Sequence, residues 1–215
     1  MSAPLDGFWP VAAVPLIALL AYRLRAMSAG GASMGSLLAV AITWGLGWRG
    51  LSMLATLLVV GTLVSDRSRR GRGARQAICN GGAAAALALA AAFGWNWGGA
   101  GAAGALAAAL SDTVAGEVGQ RWRAPARLLL FGPRVPPGVD GAMSLAGTAA
   151  GLLAALPIPL LSGGPFLPPF FGAVAGNLAD SILGATVQRR LGRHGNDLVN
   201  LAATVIGSAI TVATS

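Results

Sequence analysis

Seven acidic residues are few enough in a chain of 215 for each to be weighed. Asp6 stands near the start of the chain, and Asp66 stands among arginines, where an ion pair accounts for it. The other five are Asp112, Glu117, Asp140, Asp180 and Asp197. Asp112 and Asp180 fall inside apolar runs, where an unpaired carboxylate costs at least a few kcal/mol. A carboxylate kept at that cost is a functional candidate. The plain alternative is an intramembrane ion pair or a hydrogen bond to a neighbouring helix.

Three groupings carry the polar chemistry. In Asp112-Thr113-x-x-x-Glu117-x-Gly119, two carboxylates close an apolar run. In Gly138-x-Asp140-Gly141-x-x-Ser144-x-x-Gly147-Thr148, an acidic loop enters a helix through small residues, so backbone N–H groups and Ser144 would face an incoming anion. In Asp180-Ser181-x-x-Gly184-x-x-x-Gln188, residues at i, i+4 and i+8 share one helical face, and the loop beyond returns Asn196, Asp197 and Asn200. Arg75 precedes Asn80-Gly81-Gly82 at another helix start, where a guanidinium would add bidentate phosphate contacts to the helix dipole. Arg75→Lys is therefore expected to lose activity, and Arg69→Lys and Arg70→Lys to be nearly silent.

Carboxylates, amides and arginines, with no lysine in the chain, suit hard cations and phosphate. Mg²⁺ is held by one or two carboxylates plus substrate phosphates, and arginine forks match phosphate oxygens. The expected Mg²⁺ ligands are Asp112, Glu117, Asp140, Asp180 and Asp197. The expected phosphate-binding residues are Arg75, Asn80, Gly81, Gly141, Ser144, Ser181, Gln188 and Asn200, and Asp112, Asp180 and Arg75 are the expected catalytic residues. Neither a Walker A sequence nor a kinase glycine loop is present. Cys79 and His194 are each the only one of their kind, which argues against a Cys/His metal centre or a Ser-His-Asp triad.

The elements that must position these residues are membrane helices. Hydrophobic residues make up 55% of the chain and charged ones only 10%, against roughly 25% charged in soluble domains; the mean hydropathy is +0.69. Apolar runs of spanning length predict helices at 8–22, 32–48, 50–65, 76–93, 97–113, 141–161, 167–187 and 197–214. The first run has no basic segment before it and is read as a helix rather than a cleaved leader. The expected fold is an all-α, polytopic helix bundle of about eight transmembrane helices, forming one transmembrane domain over 1–215.

All fifteen basic residues are arginines, and fourteen fall in the four loops after the first, third, fifth and seventh runs, leaving Arg49 alone on the other side. That asymmetry predicts both termini outside and a cytoplasmic active face, and it explains the +8 charge without nucleic acid. Trp9, Trp44, Trp48, Trp95 and Trp97 fall at predicted outer ends, as an interfacial belt requires. Leu110-Ser111-Asp112-Thr113-Val114-Ala115-Gly116 resembles Leu178-Ala179-Asp180-Ser181-Ile182-Leu183-Gly184, with matching residues at six of seven positions. Internal helix-pair repeats with polar residues at like depth locate a site at the repeat interface.

Five stretches, Gly73–Gly82, Ser111–Gly119, Gly138–Thr148, Gly176–Gln188 and Asn196–Asn200, resemble the membrane family called domain of unknown function 92, or transmembrane protein 19, which includes plant phytyl-phosphate kinase. Before the second run the likeness is looser, with Ser28–Ser33 standing in for a basic residue and a Ser-Gly-Ala stretch. The resemblance implies phosphoryl transfer from a nucleoside triphosphate, CTP or ATP, to an isoprenyl monophosphate. The expected setting is an integral protein of a prokaryotic cytoplasmic membrane, with Mg²⁺ as cofactor. The alternative from the residues alone is an ion-coupled transporter or channel, in which intramembrane aspartates would lie near the midplane.

Overall fold

The computed structural model describes residues 8–65, 71–123, 125–129 and 131–215. Asp6, Asp66, Arg69 and Arg70, each assigned a place above, lie outside the described residues, as does Arg67 of the same arginine loop. The chain runs α1 (Phe8–Arg23), α2 (Ala29–Val64), α3 (Ala74–Ala92), α4 (Gly98–Arg121), β1 (Ala126–Leu128), β2 (Arg134–Val135), β3 (Ala142–Ser144), α5 (Leu145–Ala155), α6 (Pro157–Ser162), α7 (Leu167–Thr186), a 3-10 segment (Gln188–His194) and α8 (Gly195–Thr214).

The two runs expected at 32–48 and 50–65 are one helix in name only, because Gly47 sits at φ 57°, ψ −142° inside α2. A positive φ of this kind is open to glycine and strained for most other residues. The chain folds back there. Ala39 and Leu51 meet in one apolar cluster with Val14, whereas in a straight helix twelve residues would hold them about 18 Å apart. Among the described residues, three helical stretches are long and apolar enough to cross a membrane, Ala29–Val64, Leu145–Ser162 and Gln188–Thr214. The second owes its length to α6 behind α5, whereas α8 is 20 residues long by itself and the 3-10 segment only extends it.

Helix α4 is the axle. Its residues from Gly101 to Ser111 are buried on every side, and α2, α3, α5, α7 and α8 all pack against it. Small residues permit this, since packing between membrane helices rests on close backbone approach rather than on a hydrophobic drive. A Cβ added at Gly104 would stand 2.9 Å from the Gly207 carbonyl oxygen, and one at Gly172 would stand 2.6 Å from the same atom. Thus α4, α7 and α8 touch through their backbones. Large apolar side chains such as Leu37, Leu63, Leu89, Leu153, Phe171 and Ile182 point outward and are exposed, the arrangement expected where the surroundings are lipid tails.

Two expectations need correction. The fold is not wholly α: β1, β2 and β3 form a small antiparallel sheet in the order β2-β1-β3, with Ala126 opposite both Val135 and Ser144. Strands of two or three residues between prolines and glycines carry no readable alternation, so the stretch passed for a loop and its last residues for helix. Helix α4 also runs on to Arg121, well past the expected end at 113. Thr113, Glu117 and Gln120 are therefore helical and held at fixed angles.

Candidate functional site

Four helices each present polar residues one turn apart to a single cavity: Gln76 and Asn80 from α3, Thr113 and Glu117, beside Asp112, from α4, Asn177 and Ser181 from α7, and Asn196 and Asn200 from α8. Residues four apart share a helix face, so each pair follows from its spacing. The segment 137–144 and Thr148 of α5 close another side, and Ser65 and Arg72 a further one. The cavity measures about 250 Å³, far above the roughly 10–15 Å³ that admits one water.

At its centre the two aspartates of the sequence repeat meet, and Asp112 and Asp180 are hydrogen-bonded to each other between α4 and α7. Both are half-buried. Their helices are locked together just beside them, where Asn177 Nδ2 donates to Ser111 Oγ at 3.1 Å. With the Asn200 amide turned so that both its atoms are satisfied, its nitrogen donates to Asp180 Oδ1 at 3.0 Å and to the Asn196 carbonyl at 3.2 Å. Three helices thus hold one carboxyl pair.

Asp140 enters from the loop. Gln188 Nε2 donates to its Oδ1 at 2.8 Å, and the exposed Arg189 lies 3.9 Å from Oδ2, a contact worth little in water. Gly141 places it: at φ +75°, a Cβ there would stand 2.6 Å from the Ala185 nitrogen, so only glycine lets this loop lie against α7. Ser144 caps α5 by accepting from the Gly147 N–H at 3.0 Å.

The arginine of the site is Arg72. Its backbone is pinned to the turn after α1, with its N–H donating to the Ala26 carbonyl at 3.1 Å and its own carbonyl accepting from Ser28 N at 3.0 Å. Its guanidinium donates to Thr62 Oγ1 at 3.2 Å and Ser65 Oγ at 3.1 Å. Burial pulls this guanidinium below its ordinary pKa, and the charge of Glu117 acts in the opposite sense. It remains a cation at neutral pH.

The cavity thus brings together Asp112, Glu117, Asp140, Asp180, Asn80, Gly141, Ser144, Ser181, Gln188 and Asn200. It does not include Arg75, Gly81 or Asp197. Arg75 is exposed and bonds His194 Nδ1 at 3.2 Å, one residue before Gln76 of the lining and so rotated about 100° from it on α3. Gly81 faces a neighbouring apolar cavity. Asp197 lies beside the Asn196–Asn200 face of α8 and is absent from the lining. Among the described residues, no three of His, Cys, Asp or Glu come close enough to hold a metal ion together, so the five expected acids do not form one ligand cluster. Sequence reasoning passed over Arg72, Gln76 and Asn177, and named Asn196 in the loop after Gln188 without giving it a role. Three of these were signalled by a second polar residue one turn on.

A helix bundle with an apolar outer surface and a polar, acid-bearing cavity at its arginine-rich end defines a membrane protein with an internal polar site. Residues 12–208 match the family described as Integral membrane protein DUF92, and the chain belongs to that family. Its relatives include uncharacterized membrane protein MJ0933 of Methanocaldococcus jannaschii, 31% identical over 95% of this chain and 92% of the relative. Two others match about half of this chain: uncharacterized membrane protein sll0875 of Synechocystis, 36% identical over 43% of its length, and Protein VTE6, chloroplastic, of Arabidopsis thaliana, 38% identical over 34% of its length. No solved structure matches the chain.

Proposed function

We propose that this cavity transfers a phosphoryl group from a nucleoside triphosphate to an isoprenyl monophosphate. The observation that carries the reading is the Asp112–Asp180 pair facing Arg72 and Glu117 inside one polar cavity of a membrane bundle. The partial likeness to VTE6 supports a prenyl-phosphate substrate. The remaining features follow the same reading: about eight spans, both termini outside, and the site on the cytoplasmic face of a prokaryotic membrane, where nucleotide is supplied.

A prenyl monophosphate already carries an anionic oxygen, so no general base is needed, in keeping with a cavity without histidine. That oxygen forms a bond to the γ-phosphorus as the bond from the γ-phosphorus to the β–γ bridging oxygen breaks, and the leaving diphosphate takes the charge. What remains for the protein is to align two polyanions and offset their repulsion. Arg72, fixed by Thr62 and Ser65, presents a cation at a set position; Asn80, Ser181 and Asn200 supply hydrogen bonds. The oxygen donors present suit Mg²⁺, which takes one or two carboxylates and completes its shell with phosphates and water. Asp112 and Asp180 would hold it, with Asp140 nearby. When bound, it neutralises charge on the phosphates.

The carrier reading calls for acids isolated at mid-depth. It is less well supported, because Asp112 and Asp180 share their cavity with loop residues 137–144. Reconstituting the chain in liposomes with geranylgeranyl monophosphate, Mg²⁺ and ATP or CTP separates the two. Lipid diphosphate without ion flux is the expected result, and ion flux without diphosphate would overturn it.

A further inference from the structure

A second cavity, of about 90 Å³, lies between α1, the two halves of α2 and α3. Its walls are apolar, yet at one end it is lined by Arg72, Gln76, Asn80 and Thr113, which also line the polar cavity. The two spaces therefore meet at a shared wall of four polar residues. Away from Arg72 the lining includes Val14, Ala39 and Leu51, which pack as one buried cluster. Along α1 the lining runs from Val14 to Ala21, a depth of about 10 Å at 1.5 Å per residue.

An apolar slot that ends beside the half-buried Arg72 guanidinium fits one kind of molecule, an amphiphile with an anionic head and a hydrocarbon tail. The head would lie against Arg72 and the tail between α1 and α2. Resting on the phosphoryl-transfer reading above, we infer that this slot holds the prenyl chain next to the acceptor phosphate, and that Ala18 and Ala39 govern how much chain it takes. Ala18 is a half-buried wall residue and Ala39 a buried one. Both carry only a methyl group where a larger side chain would occupy the slot.

The test uses the full chain in nanodiscs and measures binding of dimethylallyl, geranyl, farnesyl and geranylgeranyl monophosphates, with geranylgeraniol and a phosphatidic acid as comparison probes. For the natural chain, affinity should rise with each added isoprene unit until the slot is full and then level off. In Ala18→Phe the levelling should move to a chain at least one unit shorter, with dimethylallyl phosphate binding unchanged. Ala39→Leu should do the same, so a folding failure in one variant leaves the other to report. Arg72→Gln should weaken all four phosphates alike. Unchanged chain-length profiles in both slot variants, with phosphate binding intact, would overturn the tail assignment and leave the transfer reading standing. Equal binding of geranylgeraniol or phosphatidic acid would also overturn it, as a slot for any apolar chain. Absence of binding by every prenyl phosphate would overturn both.

Discussion

Replacing Arg72 by lysine tests the position of the phosphate-binding cation. The guanidinium is held by Thr62 Oγ1 at 3.2 Å and Ser65 Oγ at 3.1 Å, which leaves its remaining N–H groups for an anion in the cavity. Lysine keeps the charge but loses the planar fork. A hydrogen bond to a charged group is worth about 1.5–3 kcal/mol, and each 1.36 kcal/mol is a factor of ten in rate. Losing one such bond in the transition state should lower kcat/KM roughly 10- to 100-fold. Arg75→Lys, on the exposed side of α3 beside His194, should change it by less than about fivefold, as for a surface contact worth under about 1 kcal/mol. The assay is lipid diphosphate formation by each variant at matched amounts of folded protein, judged by thermal denaturation in detergent. A large loss in Arg75→Lys with none in Arg72→Lys would refute the assignment and restore the arginine expected from sequence.

Asp112→Asn and Asp180→Asn should each abolish transfer, a loss of at least about 100-fold, while thermal denaturation shows a folded protein, since an asparagine can keep the hydrogen bond to the remaining aspartate. An active but poorly folded variant would instead mark a structural pair. Gly141→Ala should destabilise by about 1–2 kcal/mol, because an L residue is strained at φ +75° and its Cβ would collide with Ala185; an unchanged melting temperature would refute the strain. Gln188→Met removes the 2.8 Å bond to Asp140, worth a net 0.5–1.5 kcal/mol. Transfer should fall about 2- to 10-fold with a stability loss no larger than that bond's worth, and a silent variant would take Asp140 out of the site. Ser144→Ala should cost about 1 kcal/mol through the lost cap on α5, read by denaturant titration, and a stability gain would contradict the cap.

Residues whose cost has few explanations were the legible ones. Asp112 and Asp180 stood out because a carboxylate in an apolar run is expensive, and the repeat around them pointed to the helix interface where they meet. Arg72 and Arg75 could not be told apart in the same way. Which of two arginines three residues apart faces the cavity depends on the pairing of the segment 71–73 with residues 26–28, a contact between loops forty-odd residues apart in the chain. Asp197 was misplaced by one residue, which on a helix is a rotation of about 100°, and Asn196 and Asn200 hold the face instead. The small sheet escaped because strands of two or three residues have no room for a period of two. The return at Gly47 left its trace as two adjacent apolar runs, but the glycine itself was one of 32.

The most direct measurement is a tracer experiment with the purified chain, geranylgeranyl monophosphate, Mg²⁺ and a nucleoside triphosphate labelled at the γ-phosphate, run beside Asp112→Asn and Asp180→Asn. Label in geranylgeranyl diphosphate with the natural chain, and none with either variant, is the predicted result. Label that stays in the nucleotide or appears only as free phosphate, with ATP and CTP both supplied and the protein shown to be folded, would contradict phosphoryl transfer to a prenyl phosphate.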